Sequence, residues 1–250
     1  MLVLGTVPYA NAAPLVEGLD ALPGVRLVRE VPALLARRLA AGEVDAALVP
    51  SVAALRDPRL VPVPGACLGS RGPVKSVSLL GRRAPGPGAR VLLDDASLTS
   101  AALARILLAG PLAAPGASFG PCPAGTDPRT ADADAVLLIG DPALLQDRRG
   151  LVEIDLGEAW TRWTRLPFVW AVWAARDAAA ARAAEPVLRE ARERGARELP
   201  AIVDREAARL GLDRAVVDRY LRVHIRYAFG VEERRGLDRF REECAGAGLL

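Results

Sequence analysis

Residues 166–175 read LPFVWAVWAA, an apolar run in which Phe168 to Ala174 is rich in β-branched and aromatic side chains. It stops well short of the ~20 residues that a membrane-spanning helix needs. A strand apolar at every position is buried on both faces, so this one reads as the centre of a sheet. What flanks it decides the architecture. Upstream, Arg90–Leu93, Ala135–Ile139 and a short extended Leu151–Asp155 alternate with helical patterns at Ser97–Leu108 and from Pro142. Beyond Asp177 the pattern is helices only: Ala178–Arg194, Glu198–Leu210, Arg214–Phe229 and Arg235–Ala245.

Further upstream, RRAPGPGA (82–89) breaks the chain like a hinge, and before it a first α/β unit can be read. Its strands are Leu2–Thr6, Val25–Glu30, Ala46–Val49 and Ser76–Leu80. One helix runs from about Ala13 to Leu19, with Pro14 in the first turn, where its missing N–H has no partner to lose. Another opens at Pro32 and runs to about Ala41, closed by Gly42 in a left-handed cap. The Pro- and Gly-rich residues 58–73 read as loop. Alternating strands and helices predict α/β architecture with largely parallel strands. The chain leaves the first unit near 82–89 and returns near 170–176. Two crossings imply a discontinuous domain, 1–83 plus 175–250, wrapped around a continuous one, 84–174. Between such lobes lies a cleft, a favoured place for a small ligand.

The chain has 250 residues, 51% of them hydrophobic and 25% charged, which supports a globular core and excludes a disordered tail or a fibre. The net charge is +3 with aromatics at 4%, and no basic stripe is present, so nucleic acid is set aside as a partner. Of 33 basic residues only Lys75 is lysine, a skew that a GC-rich coding bias explains. Cys67, Cys122 and Cys244 are widely spaced with no CxxC pair, which speaks against zinc and for a reducing compartment. The opening MLVLGTVPYANAAPL lacks a basic segment before its apolar run, so a cytoplasmic protein without a secretory signal or membrane partner is expected. The oligomeric state leaves no trace in the sequence.

Ligands of open α/β sheets bind beyond the carboxyl ends of the strands. Following the strands there are Pro8-Tyr9-Ala10-Asn11, then Pro50-Ser51, then Asp94, Asp95, Ser97, Thr99 and Ser100, then Gly140-Asp141-Pro142, while Ser76 and Ser78 lie on the strand approaching the crossover. Taken singly, Ser97 and Asp141 are plain helix caps. Together these are neutral hydrogen-bonding groups and helix N-termini on one edge, suited to a small carboxylate. Familiar catalytic motifs are scarce: no GxGxxG, P-loop or HExxH occurs. The one histidine, His224, reads as a structural or surface residue. Trp170 and Trp173 read as core, and so does Trp160, although its pairing with Trp163 beside Thr164 leaves one ring available to wall the cleft.

Several segments together resemble the chorismate dehydratases, menaquinone-biosynthesis enzymes of the futalosine route. They are VPYANAAPL (7–15), VKSVSLL (74–80), LIGDPAL (138–144), DLGEAWTRWTRLPFVWAVW (155–173) and YAFGVEERRGLDRF (227–240). The resemblance runs nearly end to end, and DLGEAW to LPFVWAVW is its most specific part. It implies a two-lobed fold like the type II periplasmic binding proteins, no cofactor, and a lyase that eliminates water from chorismate to give 3-[(1-carboxyvinyl)oxy]benzoate. By motif, Asn11 and Ser76 are the implied catalytic residues, and Thr99 with Ser100 would hold a substrate carboxylate. Ser51, Ser78, Ser97, Gly140, Asp141 and Thr164 complete the implied binding set. Two positions depart from the family: Ala10 stands for its usual Leu and Arg165 for its usual Gly. Two other readings stay open, the sibling 1,4-dihydroxy-6-naphthoate synthase and a solute-binding protein without chemistry. The sibling uses a cleft histidine where this chain has Gly140-Asp141.

Overall fold

A computed structural model describes residues 1–94 and 97–250, so Asp95 lies outside the described residues. The chain forms two sheets. The first holds β1 (Leu2–Thr6), β2 (Val25–Arg29), β3 (Ala46–Pro50), β4 (Val61–Ser70), β10 (Phe168–Ala175) and β11 (Arg226–Ala228), in the order β11-β4-β10-β3-β1-β2. The second holds β5 (Val77–Gly81), β6 (Arg90–Leu93), β7 (Ser118–Pro121), β8 (Ala135–Ile139) and β9 (Val152–Asp155), in the order β7-β6-β8-β5-β9. As its unbroken apolar sequence requires, β10 is interior and buried at every position.

The sheets are mixed rather than largely parallel. β1 pairs in parallel with β2 and β3, and β6 with β7 and β8, but β10 runs antiparallel to β3 and β4, and β5 antiparallel to β8 and β9. Sheet membership also moves both crossings. β5 belongs to the second sheet and β10 to the first, so the connections between sheets are residues 71–76 and 165–167. The expected boundaries at 83/84 and 174/175 are displaced accordingly. The Gly- and Pro-rich stretch at 82–89 joins β5 to β6 within the second lobe; its composition marks a turn, and turns occur within lobes as well as between them.

Three local readings are corrected. Residues 61–70 form the long strand β4 despite Pro62, Pro64 and Gly65, because β11 covers only Ala66 and Gly69 and leaves the Pro-bearing end as an edge. The expected helix at Ala13–Leu19 is a 3-10 turn at Ala10–Leu15. The expected helix Arg214–Phe229 breaks into α8 (Arg214–Arg219), a π turn (Tyr220–His224) and β11. The helices that complete the structure are α1 (Pro32–Ala40), α2 (Ser51–Arg56), α3 (Leu98–Ala109), α4 (Gly140–Leu145), α5 (Leu156–Thr164), α6 (Ala178–Arg197), α7 (Leu199–Leu210) and α9 (Val231–Gly246).

The lobes share an aromatic core. Trp160 of α5 is fully buried, edge-on to Phe168 of β10 at 5.1 Å and to Phe240 of α9 at 6.2 Å. Its indole N–H donates to the Pro167 carbonyl at 3.1 Å. Burying each ring contributes about 2–3 kcal/mol, so this cluster pins the returning crossover. The aromatic ring of Trp160 is therefore core and not cleft wall. On the opposite side, α6 presses on the 3-10 turn. A Cβ at Gly195 would lie 1.9 Å from the Pro14 carbonyl oxygen, so only glycine permits that approach. No helix among the described residues is long and apolar enough to cross a membrane.

Candidate active site

A cavity with an empty volume of about 580 Å³, its open mouth included, lies between the sheets. Its wall takes Tyr9 and Asn11 from the 3-10 segment, Ser76 and Val77 from the first crossover, and Ser97, Thr99 and Ser100 from the start of α3. Gly140 of α4 and Trp170 of β10 close it. Six of the ten residues expected from the sequence thus meet in one space: Asn11, Ser76, Ser97, Thr99, Ser100 and Gly140.

The other four lie outside this wall, each held by a hydrogen bond. Ser51 donates to the Val169 carbonyl at 2.7 Å. Ser78 points to the Glu153 carboxylate at 2.7 Å. Thr164 donates to the Trp160 carbonyl at 2.9 Å and accepts from the Leu166 N–H. Asp141 neither caps its helix nor lines the cavity. One of its oxygens accepts the Ala10 N–H at 3.0 Å and the other pairs with Arg209 of α7 at 2.7 Å. The second lobe thereby grips the turn that presents Asn11. Thr99 makes a second bond between lobes, accepting the Val52 N–H at 3.2 Å.

The polar groups of the cavity fall into two sets. At the start of α3, Ser97 and Ser100 share a hydrogen bond of 2.7 Å beside Thr99, in a first turn whose N–H groups carry the positive end of the helix dipole. The other set is unsatisfied. Asn11 Oδ1, Ser76 Oγ and the Tyr220 hydroxyl are buried, and among the described residues none makes a hydrogen bond of normal geometry. Ser76 and Asn11 nevertheless stand near enough to the Tyr220 phenol to act as weak hydrogen-bond partners, pulling its titration down against the larger upward push of burial. Such groups cost about 1–3 kcal/mol each when left unpaired, which marks a place built for a ligand.

Two devices aim Ser76. Asp155, at the N-cap of α5, accepts N–H bonds from Val74 at 3.0 Å, Lys75 at 2.8 Å and Glu158 at 3.0 Å. Burial pushes its carboxyl upward against the pull of those three donors. Lys75 itself sits in the left-handed region at φ 65°, a strained turn immediately before Ser76. His224 lies behind this crossover, its Nδ1 at 2.9 Å from the Pro73 carbonyl. Burial holds the imidazole below its ordinary value, with Lys75 and Arg219 adding to that. It does not line the cavity, in keeping with a structural role.

Sequence reasoning missed two cavity groups, Tyr9 and Trp170, and a buried phenol beside Asn11 and Ser76, Tyr220. Tyr9 packs its ring over Gly140, where a Cβ would meet it at 2.9 Å. Its phenol is pushed up to about 12, first by burial and then by the charges of Asp94 and Asp141, so it stays a neutral donor. Trp170, read as core, exposes one edge to the cavity and donates its indole N–H to Ser70 Oγ at 3.0 Å. Tyr220 lies inside an apparently continuous helical pattern, and nothing in that pattern announces the π turn that directs it.

The sequence model of a family described as menaquinone biosynthesis matches residues 2–246. A chorismate dehydratase of Thermus thermophilus is 38% identical over 259 residues, covering 96% of this chain and 94% of that protein. Among solved structures, a protein of Archaeoglobus fulgidus superposes with a TM-score of 0.78 at 17% identity, covering 100% of this chain and 98% of that one. The periplasmic aliphatic sulphonate binding protein of Escherichia coli superposes with a TM-score of 0.67 at 16% identity, covering 100% and 88%. These two likenesses establish the two-lobed periplasmic-binding-protein-like fold.

Proposed function

This chain belongs to the menaquinone-biosynthesis family, and from that premise we propose that it is a chorismate dehydratase, a lyase removing water from chorismate to give 3-[(1-carboxyvinyl)oxy]benzoate. The observation that carries the reading is the convergence of Asn11 and Ser76, unpaired and buried, in a cavity that also receives the first turn of α3. A helix N-terminus with Thr99 and Ser100 suits the ring carboxylate. Trp170 and Tyr9 offer flat apolar walls for the ring.

The chemistry asks little of the protein. The C3 hydrogen is vinylogously activated by the ring carboxylate, and loss of the C4 hydroxyl makes the ring aromatic. The substrate's enolpyruvyl carboxylate takes the C3 proton as the C3–C4 double bond forms and the C4–O bond breaks. The departing oxygen then carries that proton away as water. Hydrogen and hydroxyl lie on one face, so the elimination is syn. Asn11 and Ser76 hold the reacting groups in register, and orientation of this kind can supply several kcal/mol of the barrier. The reading calls for no cofactor, takes a small molecule as its only partner, and places the enzyme in the cytoplasm with other biosynthesis.

The test is incubation of the purified protein with chorismate, without added metal or cofactor, followed by mass spectrometry. Formation of the aromatic enolpyruvyl ether, greatly slowed in Asn11→Ala, is the expected result. Intact chorismate overturns the reading and turns attention to the sibling synthase's substrate, then to binding without turnover.

A further inference from the structure

We infer that Arg148 is a positioning residue of this site: its guanidinium grips the peptide that joins Lys75 to Ser76 and so fixes the angle at which Ser76 faces the cavity. The inference rests on the dehydration reading and adds a group that no motif nominates.

In the sequence QDRRG (146–150) nothing distinguishes the two adjacent arginines. The structure separates them. Arg149 is exposed and pairs with Asp147 at 2.9 Å. Arg148 is half-buried, and its Nη2 donates to the Lys75 carbonyl at 3.0 Å and to the Ala143 carbonyl of α4 at 2.8 Å. Its Nη1 donates to the Gln146 carbonyl at 3.3 Å, and its Nε forms an ion pair with Glu153 of β9 at 3.0 Å. That carboxylate also accepts the Ser78 hydroxyl of β5 at 2.7 Å, so the guanidinium is itself held by a fixed partner. One rigid fork thus joins α4, whose first residue Gly140 lines the cavity, to the crossover that presents Ser76.

The grip opposes a relaxation that the backbone favours. Lys75 sits at φ 65°, where the Cβ of any side chain crowds the following carbonyl. Rotation of Lys75 to negative φ would turn the 75–76 peptide and swing the Ser76 Cα–Cβ bond away from its present direction. Bonds to three consecutive peptide groups prevent this. Asp155 accepts the Lys75 N–H at 2.8 Å, Arg148 donates to the Lys75 carbonyl, and the Gly140 N–H donates to the Ser76 carbonyl at 2.8 Å. Arg148 holds the middle group, the one directly before Ser76, through a charge-assisted bond. The guanidinium is no part of the cavity wall, so its influence passes through Ser76. A displacement of one ångström in a group that orients substrate costs up to about 100-fold in rate.

The experiment compares wild type, Arg148→Met, Arg148→Lys, Arg129→Met and the double variant Arg148→Met with Lys75→Gly for chorismate turnover and binding of the aromatic product. Arg129 is the control: its Nη2 donates to the Asp147 and Arg149 carbonyls at 2.7 and 3.1 Å, holding the same loop by bonds that do not involve the crossover. The expected result for Arg148→Met is a kcat lowered roughly 10- to 100-fold, with KM and product affinity within about threefold of wild type. Arg148→Lys keeps the charge beside Glu153 but lacks the fork, and its kcat falls about 3- to 10-fold. Adding Lys75→Gly to Arg148→Met recovers about threefold or more of the lost turnover, because glycine adopts positive φ without help. Arg129→Met turns over normally. Wild-type kcat in both Arg148 variants, a loss in KM or product affinity in place of kcat, no recovery with glycine, or an equal loss in Arg129→Met overturns the assignment and leaves the dehydration reading intact. If Arg148→Met does not fold, Arg148→Lys with and without Lys75→Gly decides on the same terms. Chorismate left intact by the wild type overturns that reading, and this inference with it.

Discussion

Replacing Ser76 by alanine should make the ligand-free protein more stable while disabling it. Ser76 is fully buried and its hydroxyl makes no hydrogen bond of normal geometry among the described residues. An unpaired buried hydroxyl costs about 1–3 kcal/mol, and the space vacated by one oxygen costs a few tenths in lost contacts, so the net gain is about 1 kcal/mol. For a chain of 250 residues that is a rise in Tm of roughly 2–4 °C. Turnover should fall by roughly two orders of magnitude, the scale of losing one donor to a developing oxyanion. Urea unfolding without ligand reads the first quantity and product formation the second. The decisive sign is that of the stability change. A Ser76→Ala protein destabilised by about 1 kcal/mol or more would show that the hydroxyl is already satisfied in the free protein, and the reasoning from unpaired atoms would collapse.

Gly140→Ala places a Cβ 2.9 Å from the Tyr9 ring at a position with φ 61°, so the ring must swing into the cavity; KM should rise roughly tenfold, and an unchanged KM would refute the packing argument. Arg165, left-handed at φ 64° where it caps α5, should yield about 0.5–1 kcal/mol of stability on replacement by glycine, measured by urea midpoint with activity unchanged. His224 titrates lower in the folded chain than in the unfolded one, so the unfolded state binds the extra proton first. Stability should therefore decline as pH falls below about 6.5, down to the folded value, and His224→Gln should flatten that part of the curve; an identical pH profile in the variant would exclude it as the source.

Much of this protein is legible in its residues because local physics suffices for it. β1 and β6 can be read to the residue, since short apolar runs bounded by turn formers have few alternatives. The wholly apolar 168–174 could only be an inner strand, although its pairing with β3 and β4, not its composition, puts it in the first sheet. Asn11, Ser76 and the Ser97–Thr99–Ser100 turn stand out because strand ends and helix starts gather at one edge of such folds, and because the motifs resemble a family. Tertiary structure decided the rest. Partner strands, not composition, assign β5 to the second lobe and so shift the crossing from 82–89 to 71–76. Pro-rich 61–70 became a strand because β10 pairs with both of its ends, at 61–62 and 67–70. Ser51, Ser78, Asp141 and Thr164 have the right chemistry in the right segments, yet nearer partners claim their oxygens, and which partner lies nearer depends on how distant segments pack. Tyr220 is the converse case: an ordinary residue in a helical pattern comes to lie beside Asn11 and Ser76 because a π turn, pinned by His224 to Pro73, interrupts that helix. Periodicity records which face of an element is buried, whereas the docking of elements distant in sequence determines which buried oxygens are left unpaired.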